Sequence, residues 1–171
     1  MGDQRRIVYD ACMTIGDREF LRPQPSNSFH TGLVMPKITG VLETSLYVAD
    51  VIRAAQFYAD VFGFQKIFSD DRLCALQVVE RQVLLLFRRG ASVEPIPLSG
   101  GVMPPHDGHG QSHLAFACSA EELPRWESHL AAHEIAIESR IRWERGGTSI
   151  YFRDPDENLL EIATPGIWPI Y

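Results

Sequence analysis

The stretch LETSLYVADVIRAAQFYADVFG, residues 42–63, joins the pattern of a strand to the pattern of a helix. Its first part alternates between two sets of side chains, which are Leu42, Thr44, Leu46 and Val48 on one face and Glu43, Ser45 and Tyr47 on the other. A period of two is typical of a half-buried strand. After Asp50, a favourable N-cap, apolar residues recur at helical spacing up to Gly63, which takes positive φ readily. The pattern therefore predicts one strand followed by one amphipathic helix.

The same order of elements occurs twice along the chain. Short β-rich segments follow the first helix at 65–69, 72–79 and 82–87. Beyond a stretch rich in proline and glycine, the second half predicts a strand at 112–118, a helix at 120–132 and strands near 135–143, 148–153 and 158–163. Glu43 and His113 occupy equivalent positions 70 residues apart, and Leu85 matches Glu161 at an offset of 76. An internal repeat of this kind predicts an α+β fold of two tandem βαβββ modules.

The repeat sets the expected domain boundaries. The first module spans 38–90, a Gly/Pro-rich linker spans 91–110, the second module spans 111–165, and a tail covers 166–171. Residues 1–37 show neither period and contain a proline-rich stretch. Two interpretations of them stay open, an appended N-terminal arm or a translation start placed too early, with Met35 as the functional start.

The composition indicates which kind of molecule the protein binds. The formal net charge is −6 and no run of Lys or Arg occurs, which argues against a nucleic-acid surface and favours a small-molecule substrate. No apolar run approaches the length that crosses a bilayer, and the first residues lack the apolar core of a signal peptide. The three cysteines show no CxxC or zinc-ribbon spacing, so we expect reduced thiols and a cytoplasmic location.

Strand parity divides the residues between two sheet faces. The helix-covered face is expected to carry Leu42, Leu46, Val48, Leu114, Phe116, Leu160 and Ile162. The opposite face, called the inner face below, would carry Glu43, His113, Glu161 and Tyr151.

A carboxylate in an apolar run such as Leu159 to Ile162 is costly to bury unless something neutralises it. A divalent cation would do so, and three N and O ligands that leave positions open are typical of catalytic metal sites. The residues alone leave an alternative, in which Glu161 lies at a solvated sheet edge and His113 caps the glycine-rich loop.

Four segments of this chain carry a resemblance to a known family. They are LYVAD at 46–50, FYADVFGF at 57–64, SHLAF at 112–116 and YFRDPDENLLE at 151–161. In this combination and order they resemble the vicinal-oxygen-chelate superfamily, which includes glyoxalase I, the fosfomycin- and bleomycin-resistance proteins and the extradiol dioxygenases. The resemblance implies a glyoxalase-like fold in which curved mixed sheets form a cup around a divalent metal.

The resemblance also implies a ligand set. His113 and Glu161 fall on usual ligand positions, and Glu43 falls where relatives most often carry His or Gln. Leu85 falls on the fourth position and cannot bind a metal, which weighs against strict glyoxalase I activity. The metal would be Mn, Fe(II), Zn, Ni or Mg, and one His with two carboxylates shifts the choice toward the harder ions. A homodimer is expected, and the cup could form within one chain or between two chains.

Two main functions follow as hypotheses. The first is a metal-dependent lyase, dioxygenase or small-molecule transferase that chelates vicinal oxygens of its substrate. Its expected site residues are Glu43, Glu161 and Tyr151 for catalysis and Tyr47, Leu85, Phe87 and Ser149 for substrate binding. The second is a metal-free binding protein of the bleomycin-resistance type that sequesters a drug or metabolite in an apolar cup. A degenerate scaffold with an interaction role is a third interpretation.

Three further features have predicted roles outside this set. The loop around His106 and His109 could close over the cup, although solvated loop histidines are the commoner case. Arg88 and Arg89 could reach an anionic substrate or only protect a sheet edge. Asp154 and Asp156 are expected to set the geometry of a turn.

Overall fold

The structure, a computed structural model, describes residues 35–171. The predicted arm therefore lies, up to residue 34, outside the described residues. Residues 39–171 form one compact unit that contains both βαβββ modules. No helix among residues 35–171 has the length and apolar content needed to span a membrane.

The first module has the predicted order of elements. Its elements are β1 (Glu43–Val48), α1 (Val51–Phe62), β2 (Gln65–Ser69), β3 (Leu73–Val79) and β4 (Gln82–Arg88). The sheet order is β1-β4-β3-β2, with β1 parallel to β4 and the other pairs antiparallel. Both predicted ends of α1 are confirmed. The Asp50 carboxylate accepts from the backbone N–H groups of Ile52 and Arg53, and Gly63 has φ +70°.

The linker contains regular structure that the sequence did not reveal. Strands β5 (Ile96–Leu98) and β6 (Gly101–Met103) form a two-stranded antiparallel sheet. Each strand is only three residues long, which agrees with a proline- and glycine-rich composition that does not sustain regular structure for long. A two-stranded ribbon consists of edge strands alone, where a proline without an N–H is tolerated.

The second module repeats the order of the first. Its elements are β7 (His113–Ala117), α2 (Leu123–Ala132), β8 (Ser139–Arg142), β9 (Thr148–Arg153) and β10 (Leu159–Ala163), with sheet order β7-β10-β9-β8. Helix α2 begins three residues later than predicted. A helix that began at Ala120 would place Pro124 in its interior, where the ring clashes with the carbonyl four residues earlier. Beginning at Leu123 keeps Pro124 in the first turn, where its missing N–H costs nothing.

Strand register confirms the alignment of the two modules. In the parallel β1/β4 pair, Glu43 lies opposite Val83 and Ser45 lies opposite Leu85. In the parallel β7/β10 pair, His113 lies opposite Leu159 and Ala115 lies opposite Glu161. The two ladders therefore match position by position, so Leu85 and Glu161 are structurally equivalent.

Burial confirms the division of the sheets into two faces, with one correction. The main core contains Leu46, Val48, Leu160 and Ile162 together with the inward residues of both helices. Leu42, predicted for the same face, is 67% exposed. It precedes the first residue of β1, and burial on this strand begins only at Leu46, so the core does not extend to the beginning of the strand.

A buried carboxylate joins the two modules. Asp154 is 3% exposed, and its two oxygens accept four hydrogen bonds, from Asp156 N, Asn158 N, Asn158 Nδ2 and the Tyr58 hydroxyl, at 2.9–3.0 Å. Burial, followed by the charge of Asp154, raises the pKa of Tyr58 far above its usual range, so the phenol keeps the proton that it donates. The neighbouring Asp156 accepts from Ala49 N and pairs with Arg53. The predicted turn-setting role of these aspartates is confirmed, and the turn also ties α1 to the second module.

We expect Tyr58→Phe to lower the free energy of unfolding by about 1.5–3 kcal/mol, because it removes a buried hydrogen bond to an ionised group. Chemical denaturation at neutral pH measures the change. Tyr171→Phe is the matched control, because the bonds of the Tyr171 hydroxyl within residues 35–171 go to the neutral carbonyl oxygens of Cys118 and Ala163. That substitution should cost about 0.5–1.5 kcal/mol. Equal losses in the two variants would show that the Asp154 charge adds nothing to this bond.

Candidate metal site and inner face

His113 and Glu161 meet on the inner face of the second module. His113 begins edge strand β7, and Glu161 lies in the middle of the neighbouring strand β10. The Nε2 atom of His113 is 3.1 Å from Oε2 of Glu161. The glutamate is 5% exposed, whereas the histidine side chain is 50% exposed. One ligand of the predicted pair is thus buried and the other faces solvent.

The backbone fixes which nitrogen of His113 carries a proton. Its Nδ1 atom lies 3.2 Å from the carbonyl oxygen of Leu159. A carbonyl oxygen only accepts, so Nδ1 is the donor and, in the neutral ring, Nε2 holds a lone pair. That lone pair faces a carboxylate oxygen of Glu161. Two acceptor atoms at 3.1 Å repel each other unless a proton or a cation lies between them.

The second oxygen of Glu161 gives an independent indication of a cation. Oε1 is buried and has no hydrogen-bond partner among residues 35–171. An ionised carboxylate with an unsatisfied buried oxygen costs several kcal/mol unless a positive charge compensates it. The carboxylate oxygens and an imidazole nitrogen with a backbone-bonded Nδ1–H are donors of the kind that divalent metals take in proteins. The residues therefore fit a divalent cation.

Tyr151 lies next to this pair. It is opposite Glu161 in the antiparallel β9/β10 ladder, and its ring centroid is 6.2 Å from that of His113. This position agrees with the inner-face parity expected for Tyr151, and its catalytic role stays a prediction.

Glu43 does not join the other two donors in the described chain. Within residues 35–171, no three His, Cys, Asp or Glu side chains are close enough to hold a metal. Glu43 lines a groove of about 250 Å³, whose walls come from the beginning of the first sheet and from Leu114, Ala115 and Phe116 of β7. Ala115 pairs with Glu161 in the β7/β10 ladder. Glu43 therefore lines the same groove as a strand neighbour of Glu161. Its role as third ligand stays a prediction.

The inner face of the first module is apolar. Leu73, Ala75 and Phe87 form a buried cluster against which Tyr47, Val83 and Leu85 pack. Three of the four predicted substrate-binding residues, Tyr47, Leu85 and Phe87, therefore lie together. The fourth, Ser149, is on the other module and is fully buried beneath Trp143, whose indole N–H donates to its hydroxyl oxygen at 2.8 Å. A ligand would reach Ser149 only after Trp143 moved.

A loop of the linker covers the apolar cluster. The His106 ring packs edge-on against Phe87, with ring centroids 4.7 Å apart, and its Nδ1 is 2.7 Å from the Tyr47 hydroxyl. Gly108 lies so close to Tyr47 that a Cβ atom would be 2.5 Å from the ring. Burial, then the charge of Asp107, raises the pKa of Tyr47. His106 thus occupies the covering position considered for this loop, whereas His109 is exposed.

Comparisons with known proteins agree with the fold described above. A profile of the Glyoxalase/Bleomycin resistance protein/Dioxygenase superfamily matches residues 40–162. The chain belongs to this superfamily. The resemblance found in the four sequence segments is therefore confirmed.

Individual relatives are distant but cover most of the chain. Metallothiol transferase FosB of Bacillus licheniformis is 26% identical over 135 residues, which is 77% of this chain and 79% of that protein. The crystal structure of lactoylglutathione lyase from Agrobacterium tumefaciens is 32% identical, has a TM-score of 0.72 and covers 78% of this chain and 99% of that one. Fosfomycin resistance protein FosX from Mesorhizobium loti shares the fold at 18% identity and a TM-score of 0.54, covering 77% and 96% of the two chains.

We expect Glu161→Gln to raise the free energy of unfolding of metal-free protein by about 1 kcal/mol or more. The substitution removes the uncompensated charge, and the new amide can donate to the Nε2 lone pair of His113. The same variant should lose the stabilisation that added Mn²⁺ gives to the wild type. Denaturant melts with EDTA and with Mn²⁺ measure both effects, and Glu144→Gln, at an exposed hairpin position, is the control. A variant less stable than wild type without metal would contradict the argument.

Proposed function

We propose that this protein is a metal-dependent enzyme that binds a small molecule through two neighbouring oxygens on a divalent cation. His113 and Glu161 would hold the cation, with Glu43 as the third protein ligand. The observation that supports this most directly is the buried, unpaired Oε1 of Glu161 beside a histidine nitrogen that its backbone contact leaves as an acceptor. The names of two relatives, a metallothiol transferase and a lactoylglutathione lyase, agree with metal or thiol chemistry on small molecules.

The donor set favours some chemistries over others. One imidazole and two carboxylates form a hard, anionic set that suits Mn, Fe(II) or Mg and also accepts Zn or Ni. Leu85 occupies the position equivalent to Glu161, so the first module offers no fourth ligand there. We therefore favour a small-molecule transferase, a lyase other than strict glyoxalase I, or a dioxygenase.

A bound divalent cation would supply Lewis-acid polarisation of the substrate oxygens and stabilise negative charge that develops on them. Residues of the chain would orient the ligands, transfer protons and exclude water. The Leu159 carbonyl orients His113 and the β10 ladder holds Glu161. Glu43, Glu161 and Tyr151 are the groups we propose for proton transfer. Leu85 and Phe87 present an apolar wall that limits water beside the substrate.

The apolar cluster of the first module also supports a second candidate function. Tyr47, Leu85 and Phe87 would suit a drug or metabolite held without a metal, as in a bleomycin-resistance type of binding protein. Metal content separates the two candidates, because only the enzyme needs His113 and Glu161 as ligands.

We expect protein purified without chelator to contain close to one divalent metal ion per site, and His113→Ala to abolish binding. Elemental analysis and metal titration measure this. His133→Ala is the matched control, because His133 is exposed and follows the end of α2. At a hundredfold excess over its dissociation constant, the cation should stabilise wild type by about 2.7 kcal/mol. Protein that stays metal-free when offered Mn, Fe(II), Ni and Zn would leave the binding protein as the better candidate.

The expected homodimer can be tested together with the third ligand. Glu43→Ala and His113→Ala would each inactivate a chain. If a site takes Glu43 from one chain and His113 and Glu161 from the other, a mixed dimer of the two variants contains one intact site and regains metal binding. If each chain builds its own site, the mixed dimer binds no metal. Light scattering gives the oligomeric state, and metal content of the purified mixed dimer distinguishes the arrangements.

A further inference from the structure

Unsatisfied polar atoms gather around Phe87, away from the candidate metal ligands. Four buried side-chain atoms lack a hydrogen-bond partner within residues 35–171. One is Oε1 of Glu161, and the other three are Nη1 of Arg72, Oγ of Ser92 and Nε2 of His106. Because buried polar groups are nearly always paired, three such atoms in one region need an explanation.

Arg72 and His106 both contact the Phe87 ring, and a backbone bond connects Ser92 to His106. The guanidinium carbon of Arg72 is 5.5 Å from the centre of the Phe87 ring, and the His106 ring packs edge-on against the same ring. Ser92 is tied to His106, whose backbone N–H donates to the Ser92 carbonyl at 2.9 Å. Ser92 is itself fully buried.

The charge of Arg72 is not balanced by any carboxylate. Within the described part of the chain, the Arg72 guanidinium makes no ion pair and lies over the Phe87 ring. Its backbone N–H donates to the Asp70 carboxylate, and its carbonyl oxygen accepts from Arg88 N. An arginine with a buried, unpaired nitrogen is costly, and a planar guanidinium matches the geometry of an oxyanion.

His106 can present a third donor in the same region. Its Nδ1 lies 2.7 Å from the Tyr47 hydroxyl. When the phenol donates to Nδ1, the imidazole proton is on Nε2, which is the unpaired atom. Arg72, Ser92 and His106 then each offer an unused N–H or O–H group.

We propose that Arg72, Ser92 and His106 form a binding subsite for the oxyanion group of a small molecule, either a carboxylate or a phosphate. The inference goes beyond the proposed metal chemistry and does not depend on it, because all three donors lie outside the candidate metal ligands. The loop that carries His106 covers the subsite, so binding requires this loop to open and close again over the ligand.

Inorganic phosphate and acetate are the probes for the subsite. Full-length protein is freed of metal with EDTA and titrated with each anion while the His106 ring signals are followed by NMR. We expect saturable shifts for His106, with Arg72→Gln weakening the affinity by about ten- to hundredfold through loss of a charge-assisted hydrogen bond. Ser92→Ala should weaken it by about two- to tenfold.

Arg81→Gln is the matched control, because Arg81 is an exposed arginine at the β3–β4 turn and should leave the affinity unchanged. Arg72→Lys keeps the charge without the fork and should bind with intermediate affinity, which covers the case in which Arg72→Gln fails to fold. Absence of saturable shifts, or equal affinity in wild type and both Arg72 variants, would overturn the proposal. Metal-free protein is used throughout, so failure here leaves the proposed metal site untouched.

Discussion

The buried carboxylate of Asp154 is the constraint on which the candidate site depends. It holds the backbone N–H and the side-chain amide of Asn158, and the Oδ1 atom of Asn158 accepts in turn from Ser112 N. Ser112 and Asn158 immediately precede β7 and β10, so this chain of bonds aligns the starts of the two strands. His113 and Glu161 owe their 3.1 Å contact to that alignment, because one lies at the start of β7 and the other three residues beyond Asn158. A buried, fully bonded charge thus orients two residues that it does not contact.

The two modules share a backbone plan but differ in chemistry. Equivalent ladder positions carry Leu85 in the first module and Glu161 in the second. The first inner face is accordingly an apolar cluster, whereas the second contains an acid and an imidazole. The repeated backbone provides two similar surfaces, and different residues at equivalent positions suit one surface to packing or ligand contact and the other to holding charge. The unpaired donors around Phe87 lie at the edge of the apolar surface, where they would orient a ligand that the apolar side chains alone could not.

Most of the fold could be predicted because it depends on local signals. The Asp50 and Gly63 caps and the alternation in β1 are each encoded by a few neighbouring residues. The repeat was visible because similar local patterns occur again in the second half of the chain. Strand parity, also a local signal, predicted that His113 and Glu161 share one sheet face. Other features depend on contacts between distant residues. No local pattern indicates that Trp143 covers Ser149. Nor does one indicate that Arg72 lies over Phe87 without a counter-ion among the described residues. The β5–β6 hairpin was not predicted because its prolines are unusual in strands. Leu42 was misplaced because alternation gives a side chain's face but not where the core ends.

The Asp154–Asn158 turn has a consequence for synthesis of the chain. Its bonds to the first module join residues about a hundred positions apart, Tyr58 to Asp154 and Ala49 to Asp156. At the usual pace of translation, about 5–20 residues per second, the ribosome needs roughly 5–20 seconds to add that length. During this interval the first helix exists without the partner of its buried phenol, and the apolar face shared with the second sheet has nothing to cover it. The first module therefore completes its fold only after residues 154–156 have been added, and chains that stop short of Asp154 are ones that chaperones and proteases must handle.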